Sequence, residues 1–223
     1  GRDAFASLQQ ALESVSPGGE IFLFPGEYHS EQQGWTLPAG LLLSAWPGQE
    51  QAVILQGQLR VESGAAENIT VRGLTIMAVE GRPAVQFEAA EDCCLEDNLI
   101  LGGQPAVVIK EARGLRLSGN SIVSDGICLL LGDADEPGRE MTGVQLQQNH
   151  FAAAGADLSH YWHLQIHAGE INGNGVLDGS GNYYFGLLLQ QDSPEEEISS
   201  CKEYIGDGDC PQWPVQSVLK FLQ

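Results

Sequence analysis

The sequence has few positive charges: 10 Lys and Arg residues stand against 30 Asp and Glu residues, and the formal net charge is −20. Binding of nucleic acid needs a basic surface that neutralises phosphates, so this charge balance argues against it. Anionic polysaccharides are disfavoured for the same reason, unless calcium or a local basic patch offsets the repulsion. The simplest consequence of the acidic surface is high solubility.

Long apolar runs are also missing. No stretch of about 18 consecutive apolar residues occurs, so the sequence predicts no membrane span. Aromatic residues make up only 7% of the chain, whereas hydrophobic residues make up 43% of its 223 residues, which is enough for one sizeable core. We therefore expect residues 1–223 to form a single domain.

What the sequence does contain is a repeat between Leu59 and Phe151. Segments 85–100 (VQFEAAEDCCLEDNLI) and 107–122 (VVIKEARGLRLSGNSI) align position for position, 85 with 107 and 100 with 122. A third copy starts at Leu129 in the same register, and its later positions are displaced because the polar run DADEPGRE adds a loop. In a looser fourth copy the apolar positions are Leu59, Val61, Ile69, Val71, Leu74 and Ile76.

A period of about 22 residues, built from short alternating runs, has the spacing of strands and is too short for a helical-hairpin repeat. Each repeat is then one turn of a solenoid, and neighbouring turns pair in parallel around a continuous core. Asn98, Asn120 and Asn149 occupy the same position of three copies. We expect them at one corner, because Asn tolerates left-handed backbone and hydrogen-bonds to neighbouring main chain.

Two further stretches resemble a known family. The opening FASLQQALESVSPGGEIFLFPGEYH (5–29) is a helix pattern followed by a strand and a turn, and INGNGVLDGSGNYYFG (171–186) is rich in glycine. Together with the repeats they resemble the right-handed parallel β-helix of the pectin-lyase-like superfamily, in particular its carbohydrate-binding and sugar-hydrolase branch. The resemblance implies an all-β fold with a helical cap (1–19), coils (20–191) and a C-terminal capping tail (192–223).

The cap is expected to be an amphipathic helix over residues 3–15. Asp3 is its candidate N-cap, and Phe5, Leu8, Leu12 and Val15 form its apolar face. The first strands are then expected around residues 21–24, 41–43 and 53–55.

The resemblance also implies a function, which is recognition of a polysaccharide or glycan, with or without lyase, hydrolase or epimerase chemistry. Whether the protein is an enzyme stays open, because the consecutive-Asp and Gly-His-Gly motifs of polygalacturonases are missing. The carboxylates expected beside a sugar are Asp92, Glu96, Asp97 and Asp125.

Enzymes of related fold use Lys or Arg as a base, which makes Lys110, Arg113 and Arg116 candidates. Lys110 falls one repeat after Glu88, and Arg113 falls one repeat after Glu91. Since adjacent turns are about 4.8 Å apart, cross-rung ion pairs are the alternative explanation for these two cations.

Aromatic residues near the C-terminal end predict the sugar contact. Tyr161 and Trp162 precede Tyr183 and Tyr184 by one repeat length, so each couple is expected to stack on adjacent turns. An outward couple would form a flat strip for the apolar face of a sugar ring, whereas an inward couple would belong to the core.

No cofactor is predicted, although a calcium site on the acidic loop at Asp133, Asp135 and Glu136 is an alternative to a solvated loop. Cys93 and Cys128 are expected to be buried thiols and Cys94 an outward one. Cys201 and Cys210 bracket an irregular segment, and a disulfide between them would place the protein outside the cytoplasm, secreted, periplasmic or at the cell surface. If both were reduced, a cytoplasmic location would follow.

A second function from another class remains. The short chain without a catalytic motif is compatible with a non-catalytic β-helix scaffold that binds a protein partner, as an adhesin does. Fold alone does not separate this scaffold from a carbohydrate-binding domain.

Overall fold

The protein is described from a computed structural model. It describes residues 5–50, 52–64, 67–79, 81–124, 126–133, 140–153, 164–167, 183–185 and 189–191. The segments 1–4, 154–163, 168–182 and 192–223 therefore lie outside the description, and the predicted C-terminal cap and the Cys201–Cys210 pair fall there.

The described elements are one helix and a series of short strands. In chain order they are α1 Leu8–Ser14, β1 Glu20–Leu23, β2 Gly26–Thr36, β3 Leu42–Ala45, β4 Val53–Val61, β5 Thr70–Arg72, β6 Thr75–Met77, β7 Val85–Phe87, β8 Ala90–Glu91, β9 Cys94–Glu96, β10 Leu99–Leu101, β11 Val107–Ile109, β12 Ala112–Arg113, β13 Arg116–Ser118, β14 Ser121–Ser124, β15 Leu129–Gly132, β16 Met141–Thr142, β17 Gln145–Gln147, β18 His150–Ala153, β19 Leu164–His167, β20 Tyr183–Phe185 and β21 Leu189–Gln191.

These strands form three parallel sheets that stack as a β-solenoid. The six-stranded sheet has the order β1-β3-β5-β9-β13-β17, and the three-stranded sheet has the order β16-β12-β8. The largest sheet contains two columns that meet in the long strand β4, whose first half pairs with β6 and whose second half pairs with β7. The predicted parallel β-helix architecture is thus confirmed.

The register agrees with the sequence repeat. Leu117 pairs with Leu95, as the regular repeat predicts, and Leu146 pairs with Leu117, as the repeat lengthened by its loop predicts. The residues inserted between β15 and β16 therefore leave the stacking unchanged, because the chain rejoins the same column beyond them. Within that insertion, residues 134–139 are outside the description.

One hydrophobic cluster runs through the interior of the solenoid. The inward position of the six-stranded sheet is filled in successive turns by Ile21, Leu43, Val71, Leu95, Leu117 and Leu146. The apolar residues of the fourth, looser repeat are also buried, as predicted. Such a column stabilises adjacent turns together, since no single turn can bury its apolar side chains alone.

The N-terminal helix is shorter than expected. It begins at Leu8 because the Ser7 hydroxyl accepts a hydrogen bond from the Gln10 N–H, at 3.3 Å, and acts as the N-cap. Phe5 precedes the helix and is 46% exposed, so its predicted place on the apolar face is wrong. Leu8, Ala11 and Leu12 do join the core, and Asp3 lies outside the description.

The corners of the solenoid use left-handed residues. At the corner after the six-stranded sheet, Asp97 has φ 54°, Gly119 has φ 66° and Gln148 has φ 55°. Asn98, Asn120 and Asn149 each come one residue later and do not have left-handed backbone. The prediction that the asparagines themselves adopt the left-handed conformation is therefore wrong by one position. At the preceding corner the left-handed residues are Asn68, Asp92, Gly114 and Gly143.

The asparagines form a buried hydrogen-bonded ladder. Asn98 donates its backbone N–H and its side-chain amide to Asn120 Oδ1, at 3.1 and 3.0 Å. Asn120 donates in the same way to Asn149 Oδ1, at 3.0 Å in both cases. The predicted bonding of these residues to main chain is confirmed, and it links three successive turns.

The described cysteines are thiols. Cys93 and Cys128 are buried, and Cys94 is partly exposed, in agreement with the sequence prediction. Burial raises the pKa of Cys93 to about 11 and that of Cys128 to about 12. Both are therefore unreactive, protonated parts of the core near neutral pH.

Candidate functional site

The carboxylates predicted to contact sugar are distributed around β9. Asp92 and Asp97 are exposed and occupy the left-handed corners before and after this strand. Glu96 lies on the outer face of β9 and bonds to the Arg116 guanidinium of the next turn. The structure brings Glu96 and Asp97 together on one side, but it does not join Asp92 to them in a hydrogen bond or ion pair. Asp125 is not among the described residues.

Two of the aromatic residues predicted for the sugar contact lie on the described strand β20. Tyr183 pairs in the sheet with His150, and Tyr184 pairs with Phe151, so these partners are further apart in the sequence than one central repeat. Tyr161 and Trp162 lie outside the description, and their contact with sugar stays a prediction.

An aromatic patch is present at the other end of the solenoid. It consists of Phe22, Phe24 and Trp46, which are 38%, 60% and 37% exposed. The Phe24 and Trp46 rings are stacked, with centroids 5.0 Å apart and planes at 15°, and Phe22 meets Trp46 edge-on at 6.1 Å. Exposed aromatic groups of this kind commonly mark binding sites.

The local fold explains why these rings meet. Side chains alternate along β1, so Ile21 and Leu23 face the core and Phe22 faces out. The Trp46 N–H donates to the Leu23 carbonyl at 2.8 Å, which continues the β1–β3 register past the end of both strands and sets Trp46 beside Phe24. Phe24 and Trp46 are one repeat length apart in the sequence, so the same period that predicts the central turns would have found this pair.

A group of charged side chains lies on the outer face of the six-stranded sheet and over the corner that follows it. We call it the charged ladder; its members are Glu50, Arg72, Glu96, Asp97 and Arg116. The Arg72 Nε lies 3.6 Å from Asp97 Oδ2, and Arg116 bonds to Glu96 and lies 3.6 Å from the Cys94 sulfur. Each guanidinium of the ladder is thus paired with a carboxylate.

Glu50 connects the ladder to the aromatic patch. It follows Trp46 in a turn and accepts the Gly48 N–H at 3.0 Å. Hydrogen bonds from the Gly48 and Glu50 backbone, together with the charge of Arg72, hold the pKa of this carboxyl below its usual range. The Glu50 side chain packs over the corner at Gly73, which follows Arg72 in the chain. A Cβ added at Gly73 would lie only 3.1 Å from Glu50 Cγ.

The candidate bases lie in ion pairs. Lys110 Nζ is 3.2 Å from Glu88 and 3.4 Å from Asp133, and Arg113 pairs with Glu140 at 2.6 Å and with Glu91 at 3.9 Å. Desolvation acts to lower the pKa of Lys110, but the two carboxylates outweigh it, and the pKa is raised. A general base must be unprotonated near the working pH, so the ion-pair explanation is the better one for Lys110.

No group of three or more His, Cys, Asp or Glu side chains in the described part of the chain is arranged to hold a metal ion. Asp133, one of the three residues of the calcium hypothesis, contacts Lys110. Asp135 and Glu136 lie in the undescribed loop, so that hypothesis stays a prediction.

Among the described residues no helix has the length and apolar character that a membrane crossing requires. Comparison of the chain with protein-family models, curated proteins and solved structures finds no match. Its fold and site define the class: a parallel β-solenoid with an aromatic patch and a charged ladder on the outer face of one sheet.

Proposed function

We propose that the protein is a carbohydrate-recognising β-solenoid and that a glycan lies on the outer face of the six-stranded sheet. The stacked and exposed Phe24–Trp46 pair is the observation that carries this proposal. The C–H face of a sugar ring is apolar and packs on an aromatic face, while its hydroxyls need donors and acceptors at the rim. Glu50, in the turn that follows Trp46, and Arg72, two turns along the sheet from Phe22, supply such groups.

The parallel β-helix fold is compatible with the resemblance of the sequence to the carbohydrate-binding branch of the pectin-lyase-like superfamily. We extend the proposal accordingly to a right-handed coil and to a secreted, periplasmic or cell-surface location. Recognition is the core of the proposal. Polysaccharide modification would need further groups, because each described candidate base lies in an ion pair.

The test is glycan binding by variants of the patch. Trp46→Ala and Phe24→Ala remove the two stacked rings, and each is expected to weaken binding on a glycan array by at least about fivefold, since a ring stack is worth about 1 kcal/mol beyond its buried area. Phe5→Ala is the matched control, because Phe5 is a ring outside the patch whose exposure lies between those of Trp46 and Phe24. Equal binding by all three variants would remove the patch from the function.

One observation favours the alternative scaffold function. β1, which carries Phe22, is the end strand of its sheet, and within the described part of the chain β3 is the strand that pairs with it. An end strand beside exposed aromatic residues is suited to adding an extended segment of a protein partner. A wild-type protein that binds no glycan on the array, but whose pull-down partners are lost in Trp46→Ala, would support this alternative.

A further inference from the structure

We infer that the site takes an uncharged glycan chain that runs along the solenoid axis, from the aromatic patch across the charged ladder. This inference rests on the proposed function and specifies its ligand. It follows from the charge of the ladder and from the register of the strands that carry it.

The charge of the ladder disfavours an acidic sugar. The ladder contains three carboxylates, from Glu50, Glu96 and Asp97, and two guanidiniums, from Arg72 and Arg116, and both guanidiniums are in ion pairs. A uronate would have to place a further carboxylate beside a ladder in which three carboxylates already outnumber two guanidiniums, and approach a chain of net charge −20. Neither step applies to a neutral sugar.

The paired charges remain available for hydroxyl groups. A guanidinium has five N–H donors, and a single carboxylate contact leaves several of them able to donate to sugar oxygens. A carboxylate oxygen accepts more than one hydrogen bond, so Glu96 and Asp97 can accept from hydroxyls while they hold their arginines. The ion pairs also fix these side chains, which lowers the entropy cost of binding.

The register gives the direction and length of the site. Phe22 stands beside Ser44, Ser44 beside Arg72, and Arg72 beside Glu96 on consecutive turns. Since turns are about 4.8 Å apart, Glu96 lies about 14 Å and Arg116 about 19 Å along the axis from Phe22. A disaccharide on the patch would therefore not reach Arg116, whereas a linear hexasaccharide would.

The experiment measures affinity by calorimetry for two matched series, neutral and uronic-acid oligosaccharides from two to six units. The neutral series contains β-glucan, xylan, mannan and galactan fragments. We expect binding of at least one neutral type, with affinity that rises with length, and binding at least about tenfold weaker for the uronates. Equal or tighter binding of uronates would overturn the inference while leaving the proposed function in place.

A variant tests the direction of the chain. Arg116→Gln should weaken binding of the hexasaccharide by about tenfold, in line with the loss of a charged hydrogen bond, and leave binding of the disaccharide unchanged. Arg113→Gln is the matched control, because Arg113 is also paired with carboxylates but lies on the three-stranded sheet. Equal effects of the two variants, or an equal loss for both ligand lengths, would contradict the inferred path.

Loss of all binding in Trp46→Ala, together with no length dependence in the wild type, would confine the ligand to the patch and overturn the inference.

Discussion

At the scale of single residues, Asn120 shows how strongly one side chain can join the turns. It is fully buried, and its Nδ2 donates to the Leu95 carbonyl at 2.7 Å while its Oδ1 accepts two hydrogen bonds from Asn98. Asn120→Ala would remove the acceptor of the Asn98 N–H and the donor to the Leu95 carbonyl, at a cost of about 1–3 kcal/mol for each buried group left unsatisfied, whereas Asn98 Nδ2 keeps its bond to the Val71 carbonyl. We expect the free energy of unfolding to fall by about 3 kcal/mol in urea denaturation.

Gln145→Ala is the control for this substitution, because Gln145 is an exposed amide on β17. Its effect should stay within about 0.5 kcal/mol. If Asn120→Ala and Gln145→Ala unfold at the same urea concentration, the asparagine ladder does not stabilise the solenoid.

The thiols allow a second test at this scale. Burial raises the pKa of Cys93 to about 11 and that of Cys128 to about 12, so neither forms thiolate at pH 8, whereas Cys94 is partly exposed on the outer face. Iodoacetamide at pH 8 should modify Cys94 in the native protein and reach Cys93 and Cys128 only after unfolding. Peptide mass spectrometry of native and denatured samples measures this. Native labelling of Cys128 as fast as that of Cys94 would contradict its burial.

At the scale of elements, Lys110 couples three turns, since it lies on the turn between those of Glu88 and Asp133. Lys110→Met leaves two carboxylates close together without their cation, and we expect a loss of about 1–3 kcal/mol at pH 7. The pKa of Lys110 is raised in the folded protein. The contribution of this lysine to the free energy of unfolding is therefore complete below its unfolded-state pKa of about 10.4, and it is lost as the pH rises through the folded-state pKa.

The measurement is thermal unfolding of wild type and Lys110→Met from pH 7 to pH 12. The two melting temperatures should converge at the alkaline end. Arg113→Gln is the comparison, since its pairs are about half exposed and should contribute much less to stability. A pH-independent difference between wild type and Lys110→Met would show that packing, and not charge, stabilises this contact.

The corners offer a matched pair of substitutions. Gly114 has φ 74°, and a Cβ there would collide with Asp92 Oδ1, so Gly114→Ala should destabilise by about 1–2 kcal/mol. Asp92→Gly relieves a left-handed Asp and should leave stability unchanged or raised by up to about 1 kcal/mol. Chemical denaturation checks both. If Asp92→Gly instead loses glycan binding with its stability intact, Asp92 contacts the sugar as the sequence predicts.

The sequence predicted the register of the central strands correctly because the same apolar positions recur in each repeat. Ile100 and Ile122 are paired as the regular repeat predicts, and the repeat lengthened by its loop correctly pairs Ile122 with Phe151. In these pairs the inward positions are occupied by apolar side chains. A shift of the strand register by one residue would turn all of these side chains toward solvent, so the apolar pattern excludes it.

The elements at the N-terminal end were harder to predict because their strands are long and continuous. β2 pairs with β4 across an irregular register between His29 and Gly34, which hides the period. The aromatic patch lies on the short strands β1 and β3 and just beyond them, and it was missed because these strands belong to no copy of the repeat between Leu59 and Phe151, although Phe24 and Trp46 share its spacing. Tyr183 pairs with His150 across a longer stretch of chain, which no spacing inside the central repeat predicts.

At the scale of the whole molecule, the net charge of −20 opposes compaction. The described ion pairs are mostly exposed and each contributes little, so salt should weaken them less than it relieves the repulsion among the excess carboxylates. Raising NaCl from 10 to 150 mM shortens the Debye length from about 30 to about 8 Å. We therefore expect the melting temperature to rise over this range.

KCl is the control for this effect, because screening depends on ionic strength and not on the cation. The two salts should give equal shifts at equal concentration. Calcium at micromolar concentration changes the ionic strength very little, so an increase in melting temperature at that concentration would require a specific site, and Asp133 with Asp135 and Glu136 would be the first carboxylates to substitute. A melting temperature that falls as NaCl is added would mean that the ion pairs between turns outweigh the repulsion, and the solenoid would then depend on its charged outer face as much as on its core.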